Sequence, residues 1–383
     1  MTTTLPAGTL IDGRYEVESL IGEGGIGEVY RARKRSMGTL LALKVMRAEL
    51  GFSELVLKAF LEEARTAARV ESDHVVRSDD CGVDRDLGVP WLTVELLHGH
   101  TLKSELARRG ALPVGEALGW LREAAAGVAA AHRAKVVHCD LKPDNLFVCD
   151  ATLTAPRRLK VLDFGISRVV QDTRTHITNK LPGGTLLYMA PEQAAAFAPI
   201  RPATDVWALG LIAFELLTGE SYWLAARNPA LDWRATLVAL RDDPMPRASE
   251  RARELGVTAP LPRGFDELFS RCVVRDASLR FTDAQALLDA LTSLSRPSSI
   301  PETEALSESL AKLRLLVTSL DDAEARGQHD AAVELGEALV ALDPRTPGGG
   351  VGRLHRTVHG GGHLQLRRAH GLTRGVARAP KCR

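Results

Sequence analysis

Apolar positions along this chain change period as the chain proceeds. From Tyr15 to about Val94 they come in short runs broken by Gly and charge, the texture of an antiparallel sheet. EVYRARK and LLALKVM read as strands within it, the second carrying Lys44 in its middle. One helix interrupts the sheet. In FLEEARTAARV, Phe60, Ala64, Ala67, Ala68 and Val70 form an apolar stripe behind early acids, which suit a helix N-terminus. After Gly99 the spacing becomes helical, with Leu118, Leu121, Ala125 and Val128 repeating in GEALGWLREAAAGVAAAHRA. DVWALGLIAFELLTG is apolar on nearly every side and predicts a helix buried mid-domain. The pattern therefore predicts a small β-rich lobe followed by a larger helical one.

Beyond Arg296, RPSSIPETE reads as a linker. Two helices joined at Gly327 follow. GQHDAAVELGEALVALDP resembles one tetratricopeptide repeat, with small residues at Ala331 and Ala338 and Pro344 ending the helix. One repeat cannot bury its own apolar face and about three are needed for a stable array. A helical hairpin packed on the main domain or on itself is an equal reading. The last stretch is rich in Gly, His and Arg and reads as disordered. Its four histidines are irregularly spaced and have no carboxylate beside them, a weak case for a metal site.

Composition adds limits. The 383 residues are 45% hydrophobic and 25% charged, ordinary for a globular protein. No window reaches the roughly 18 apolar residues of a membrane span, and MTTTLPAGTL lacks the pattern of a secretion signal. Five scattered cysteines make neither a disulfide framework nor a zinc site, so a reducing cytoplasm is the simplest expectation. The net charge of +1 hides an asymmetry: from Pro344 onward, eight Arg and one Lys face no acid, which leaves about −8 on the remainder. Nucleic-acid binding is not expected of such a folded part.

Candidate chemistry lies in three places. LIGEGGIGEVYRA sets Gly22, Gly24 and Gly27 in G-x-G-x-x-G spacing, where backbone N–H groups can approach phosphate oxygens. A dinucleotide-binding turn would run straight into a helix, but EVYRARK continues as a strand. Val29, two residues past the last Gly, is placed to cover an adenine ring. Lys44 alone is as easily a solvated strand residue. After a glycine loop it becomes a candidate phosphate-binding cation held by a helix carboxylate, with Glu63 preferred to Glu62 because Glu63 shares a face with Phe60 and Ala67. VVHCDLKPDNLFV packs His, two Asp, Lys and Asn between apolar runs, and buried charge of that kind must be paired or used. A plain polar turn around Pro143 would explain the Pro and Asn but not the accompanying motifs.

G-x-G-x-x-G-x-V, A-L-K, H-x-D-L-K-P-x-N, D-F-G and A-P-E stand here in the order and spacing of eukaryotic-like protein kinases, and the chain from about Tyr15 to Leu291 resembles that family. GEGGIGEVYRA, DLKPDNLF and YMAPEQ look most like its bacterial serine/threonine branch. The resemblance implies an α+β, bilobal fold with a β-rich N-lobe over residues 15–97 and a helical C-lobe over 98–292. A linker (293–305), a helical repeat-like segment (306–344) and the basic tail (345–383) follow. It implies ATP in the cleft against Ala42 and Val29, a hinge from Glu95 to Leu97, and Val94 guarding the back of the adenine pocket. Asp140 would be the catalytic base, Lys142 would neutralise the transferred phosphoryl group, and Asn145 and Asp163 would be ligands to Mg²⁺, with Mn²⁺ as the alternative ion.

His138 would pack beneath Phe164, next to Gly165 of D-F-G. Asp205 would brace the catalytic loop, and Glu192 and Arg280 would form a buried ion pair. Thr185 and Lys142 go with serine or threonine substrates. Cys139 departs from the pattern. The family's usual Arg reaches a phosphorylated residue of the activation segment, and a cysteine has neither the length nor the charge to do so. Phosphorylation at Thr173, Thr175 or Thr178 is therefore expected to matter little for activity. The alternatives are a small-molecule phosphotransferase of the aminoglycoside kinase type, which lacks A-P-E, and a catalytically silent scaffold. Protein substrates are expected, with a protein partner on the C-terminal helical segment.

Overall fold

The computed structural model describes residues 4–24, 27–47, 54–152, 156–164, 186–194, 198–227, 238 and 240–294. The chain divides into two units, Met1–Pro297 and Ser298–Arg383. The repeat-like segment and the basic tail fall in the second, outside the described residues.

Strands β1 (Leu10–Ile11), β2 (Tyr15–Glu23), β3 (Gly27–Lys34), β4 (Thr39–Met46), β5 (Ser78–Val83) and β6 (Pro90–Val94) form one antiparallel sheet in the order β1-β2-β3-β4-β6-β5. Period-2 alternation sends Tyr15, Val17, Tyr30, Ala32, Leu43 and Trp91 into one core. The opposite face takes helix α1 (Glu54–Ala67), whose Phe60 and Ala64 pack on Met46 and Leu92. β4 is thus covered on both faces, which is why LLALKVM is apolar at every position but Lys44.

The second lobe is built around α5 (Pro202–Thr218), which opens on Pro202 and ends on Gly219 in the left-handed region. Fifteen of its seventeen residues are buried, as its uniform apolarity predicts. Around it lie α2 (Leu102–Arg109), α3 (Val114–Arg133), α4 (Pro191–Ala194), α6 (Ala248–Glu254), α7 (Phe265–Cys272) and α8 (Ala284–Leu294). A small sheet, β7 (Gly99–Thr101), β8 (Leu146–Cys149) and β9 (Arg158–Val161), faces the first lobe. The bond from Val76 N–H to the Val161 carbonyl joins the lobes at 3.0 Å.

Several bounds differ from the sequence pattern. Pairing starts at Leu10, ahead of Tyr15, because Leu10 and Ile11 fold back on Glu16 and Tyr15. α1 begins six residues before Phe60 and stops at Ala67. Of the two apolar runs around the polar stretch only the second is a strand; in the first, Val136 N–H turns back to the Ala131 carbonyl and closes the end of α3. α8 continues past residue 292 to Leu294, into the expected linker.

Candidate active site

The stretch between α3 and β8 hangs from one buried carboxylate. Asp205, in the first turn of α5, accepts hydrogen bonds from the backbone N–H of His138 (2.8 Å) and Cys139 (2.9 Å) and from His132 Nε2 (2.9 Å). It is 1% exposed, so these donors replace the water it has lost. His132 Nδ1 accepts the N–H of Ala284 at 3.2 Å, which fixes the neutral ring with its proton on Nε2. Held in this way, Cys139 adopts a φ of 63°, which costs a side-chain-bearing residue about 1–2 kcal/mol. His138 donates from Nε2 to the Leu162 carbonyl (2.7 Å), accepts Asp140 N–H at Nδ1 (3.3 Å), and lies 4.7 Å from the Phe164 ring. It is a packed, fully hydrogen-bonded ring.

Asp140 lies between two donors. Lys142 Nζ is 3.1 and 3.0 Å from its carboxylate oxygens, and Asn145 Nδ2 donates to its carbonyl (2.7 Å) and to Oδ2 (3.2 Å). The Asn145 carbonyl accepts Leu162 N–H at 2.9 Å, tying this loop to the start of D-F-G. One residue on, Asp163 has a φ of 58° and its Oδ1 lies 2.8 Å from Lys44 Nζ. Burial pushes the Asp163 carboxyl up. Lys44 more than offsets this by charge and hydrogen bond, with smaller help from Lys142, and holds it below the usual carboxylate range. Asp140, Lys142, Asn145, Lys44 and Asp163, scattered over 120 positions, are thus joined through one set of contacts.

In the glycine loop, Gly24 N–H reaches the Gly27 carbonyl at 2.8 Å. A Cβ on Gly27 would stand 2.4 Å from the Val45 carbonyl oxygen, so the β3–β4 approach itself demands glycine there. A Cβ at Gly22 or Gly24 would meet nothing nearer than 3.8 or 3.7 Å. Packing among the described residues does not explain those two glycines. Register places Val29 opposite Lys44 and Ala42 opposite Val94. Val94 also lines a hollow with Ala64, Val75, Leu92, Asp163 and Phe164. Between β6 and β7, Leu97 is half-buried, and Glu95 accepts Arg77 N–H (2.8 Å) and pairs with Lys160 Nζ (2.6 Å).

The Glu192–Arg280 pair is bidentate, at 2.7 and 2.9 Å. Lys44 pairs with Asp163; the Glu63 side chain lies outside the described residues, although its backbone belongs to α1. Gly165, Thr173, Thr175, Thr178 and Thr185 also lie outside them. Sequence reasoning missed Lys160, His132 and Gln193. Gln193 donates from Nε2 to the Cys139 carbonyl at 2.7 Å. Its position directly after A-P-E was the only available signal.

A protein kinase domain model matches residues 15–291. The chain is 33% identical over 293 residues to the serine/threonine-protein kinase PknL of Mycobacterium tuberculosis, covering 76% of this chain and 68% of that protein. It is 29% identical over 303 residues to the serine/threonine-protein kinase PknA of the same species, covering 77% and 65%. In fold it is similar to the PknI kinase domain of M. tuberculosis, with a TM-score of 0.58 and 24% identity over 76% of this chain and 100% of that one.

Proposed function

The chain belongs to the protein kinase family, as a bacterial eukaryotic-like serine/threonine kinase, and from that premise we propose how its residues divide the reaction. The enzyme transfers the γ-phosphate of ATP to serine and threonine hydroxyls of proteins, with a divalent metal. In our reading Asp140 accepts the hydroxyl proton as the oxygen attacks. The observation that carries this is the clamp on Asp140: Lys142 and Asn145 on its carboxylate, and Asp205 holding the two preceding N–H groups. Lys142 is placed to neutralise charge on the moving phosphoryl group as well as to orient the base.

Two features fit the nucleotide. Gly22 and Gly24 leave room that no described residue fills, beside Val29, Ala42 and the Lys44–Asp163 pair, a cradle suited to phosphates. Glu95 to Leu97 would take the adenine edge through their backbone, and Val94 would close the back. Lys44 would bind α- and β-phosphates, with Glu63 as its helix partner. Asn145 donates from Nδ2 to Asp140 and has its amide oxygen to offer, and Asp163 supplies a carboxylate. These two oxygen donors would hold Mg²⁺, or Mn²⁺. When bound, the ion neutralises phosphate charge and orients the γ-group.

His138, Phe164, Gly165, Asp205, Glu192 and Arg280 have supporting places in this reading, and Thr185 helps to select the hydroxyl. Cys139 frees the enzyme from strong dependence on phosphorylation at Thr173, Thr175 or Thr178. The kinase region from residue 15 through the helix that ends at Leu294 carries catalysis, and the repeat-like segment 306–344, beyond the linker, recruits a protein partner.

The test follows ³²P incorporation from Mg·ATP into a protein acceptor by phosphatase-treated protein, beside Asp140→Asn. A linear start without lag, absent from the variant, is expected. Undiminished transfer by Asp140→Asn refutes the assignment of the base. A lag removed by pre-incubation with ATP refutes the reading of Cys139.

A further inference from the structure

The peptide plane joining Cys139 to Asp140 is pinned at both ends. Its N–H, from Asp140, goes to His138 Nδ1 at 3.3 Å; its carbonyl, from Cys139, receives Gln193 Nε2 at 2.7 Å. The other end of the Gln193 amide is equally committed, since Oε1 accepts the Ala190 N–H at 2.9 Å. Oxygen must meet the N–H and nitrogen the carbonyl, so this network admits one orientation of the amide. Gln193 stands on the short α4, next to Glu192, which Arg280 grips with both nitrogens. A chain of bonds therefore runs from the buried Arg280 through α4 to the peptide that carries Asp140.

That peptide needs holding. Cys139 is in the left-handed region, where a residue with a side chain gains nothing from its own backbone preference. Asp205 secures the preceding N–H, and the carbonyl is left to Gln193, in the wall of a cavity that Tyr188, Met189 and Asp205 also line. If the plane rotates, the Asp140 Cα–Cβ bond rotates with it, and the carboxylate leaves Lys142 and Asn145.

We propose that Gln193 is a positioning residue for the catalytic base: its amide fixes the Cys139–Asp140 peptide and thereby couples the segment after the activation loop to the base. The inference rests on Asp140 being the base. It deepens that reading by naming a bond, other than an arginine–phosphate contact, through which the A-P-E segment reaches the catalytic loop.

Gln193→Met keeps the length of the side chain and removes both hydrogen bonds. Gln193→Glu keeps the acceptor for Ala190 N–H and, when ionised, loses the donor to Cys139. When protonated, the introduced carboxyl regains that donor. It would face Asp140 and Asp205 across the cavity, with Glu192 beside it on α4 and Tyr188 and Thr204 on the wall, so like charges favour its protonated form. The experiment measures kcat and KM for ATP on the full chain between pH 5.5 and 8, with Asp140→Asn as the control for the base itself.

Gln193→Met is expected to lower kcat about tenfold, or about 1.4 kcal/mol, with KM for ATP within twofold. Gln193→Glu should show a similar loss at pH 8, and its kcat relative to the unaltered enzyme should rise as pH falls. Two results overturn the proposal: kcat within twofold in both variants, or losses in which the Gln193→Glu ratio stays flat with pH. Failure of Asp140→Asn to lose activity would instead remove the underlying assignment of the base.

Discussion

Arg280→Met tests the closing of the large lobe. The Arg280 side chain is fully buried and Glu192 only 11% exposed, so neither charge has water to fall back on. The guanidinium donates twice to Glu192 and once each to the carbonyls of Val274 (2.8 Å), Ala203 (3.1 Å) and Arg275 (3.1 Å). Its plane lies 4.9 Å from the Trp207 ring. Met conserves most of the packing and removes the cation, which leaves the Glu192 carboxylate with the Thr204 hydroxyl at 2.9 Å. Stranding one member of such a pair costs about 3–5 kcal/mol. The lost carbonyl bonds place the outcome in the upper half of that range. In a domain of this size the melting temperature should fall by roughly 6 °C or more.

The assay is urea unfolding followed by tryptophan fluorescence, with Glu192→Gln and the double variant completing a cycle. The double variant should be less destabilised than the two single costs together, because no charge is left stranded. A loss below about 1 kcal/mol for Arg280→Met, or strict additivity in the cycle, would refute the reasoning.

Other expectations follow the same logic. Glu105 is buried on α2; burial pushes its carboxyl up, but hydrogen bonds from Arg108, Arg109 and His100 outweigh this and bring it down to about 2. A depressed carboxylate stabilises the fold above its unfolded value near 4.5 and loses that contribution as pH falls toward about 2. Glu105→Gln should therefore be less stable at neutral pH by at most about 3 kcal/mol, and its stability should change less across that acid window. Equal acid slopes for variant and unaltered protein would contradict it. Gly27→Ala forces a Cβ against the Val45 carbonyl and should cost about 1–3 kcal/mol, whereas Gly24→Ala should leave stability within about 0.5 kcal/mol yet raise KM for ATP; thermal unfolding and kinetics separate the two. Alanine at Thr173, Thr175 and Thr178 together should lower the rate less than tenfold, and a hundredfold drop, about 2.7 kcal/mol, would restore activation-loop control.

Much of the site was legible before any fold was seen. The glycine spacing, Lys44 in a strand, and the Asp140, Lys142 and Asn145 cluster each carry chemistry in a short window, so their spacing alone narrows what they can do. The Glu192–Arg280 pair and the bracing by Asp205 were legible only through resemblance, since no local period links residues so far apart. Gln193 and Lys160 gave no sign, because an amide after A-P-E or a lysine on a short strand is as easily a solvated residue.

The amino-acid order by itself determined the two textures of the chain, the buried character of α5, and which residues could hold phosphate, metal or proton. It could do so because side-chain period and functional-group chemistry are local properties. Tertiary structure alone decided that Lys44 meets Asp163, that Asp205 takes the N–H of a residue 66 positions away, and that Gln193 reaches a carbonyl 54 positions back. Those partners are chosen by which buried donors and acceptors packing leaves unsatisfied, and that is known only when the lobes have closed around them.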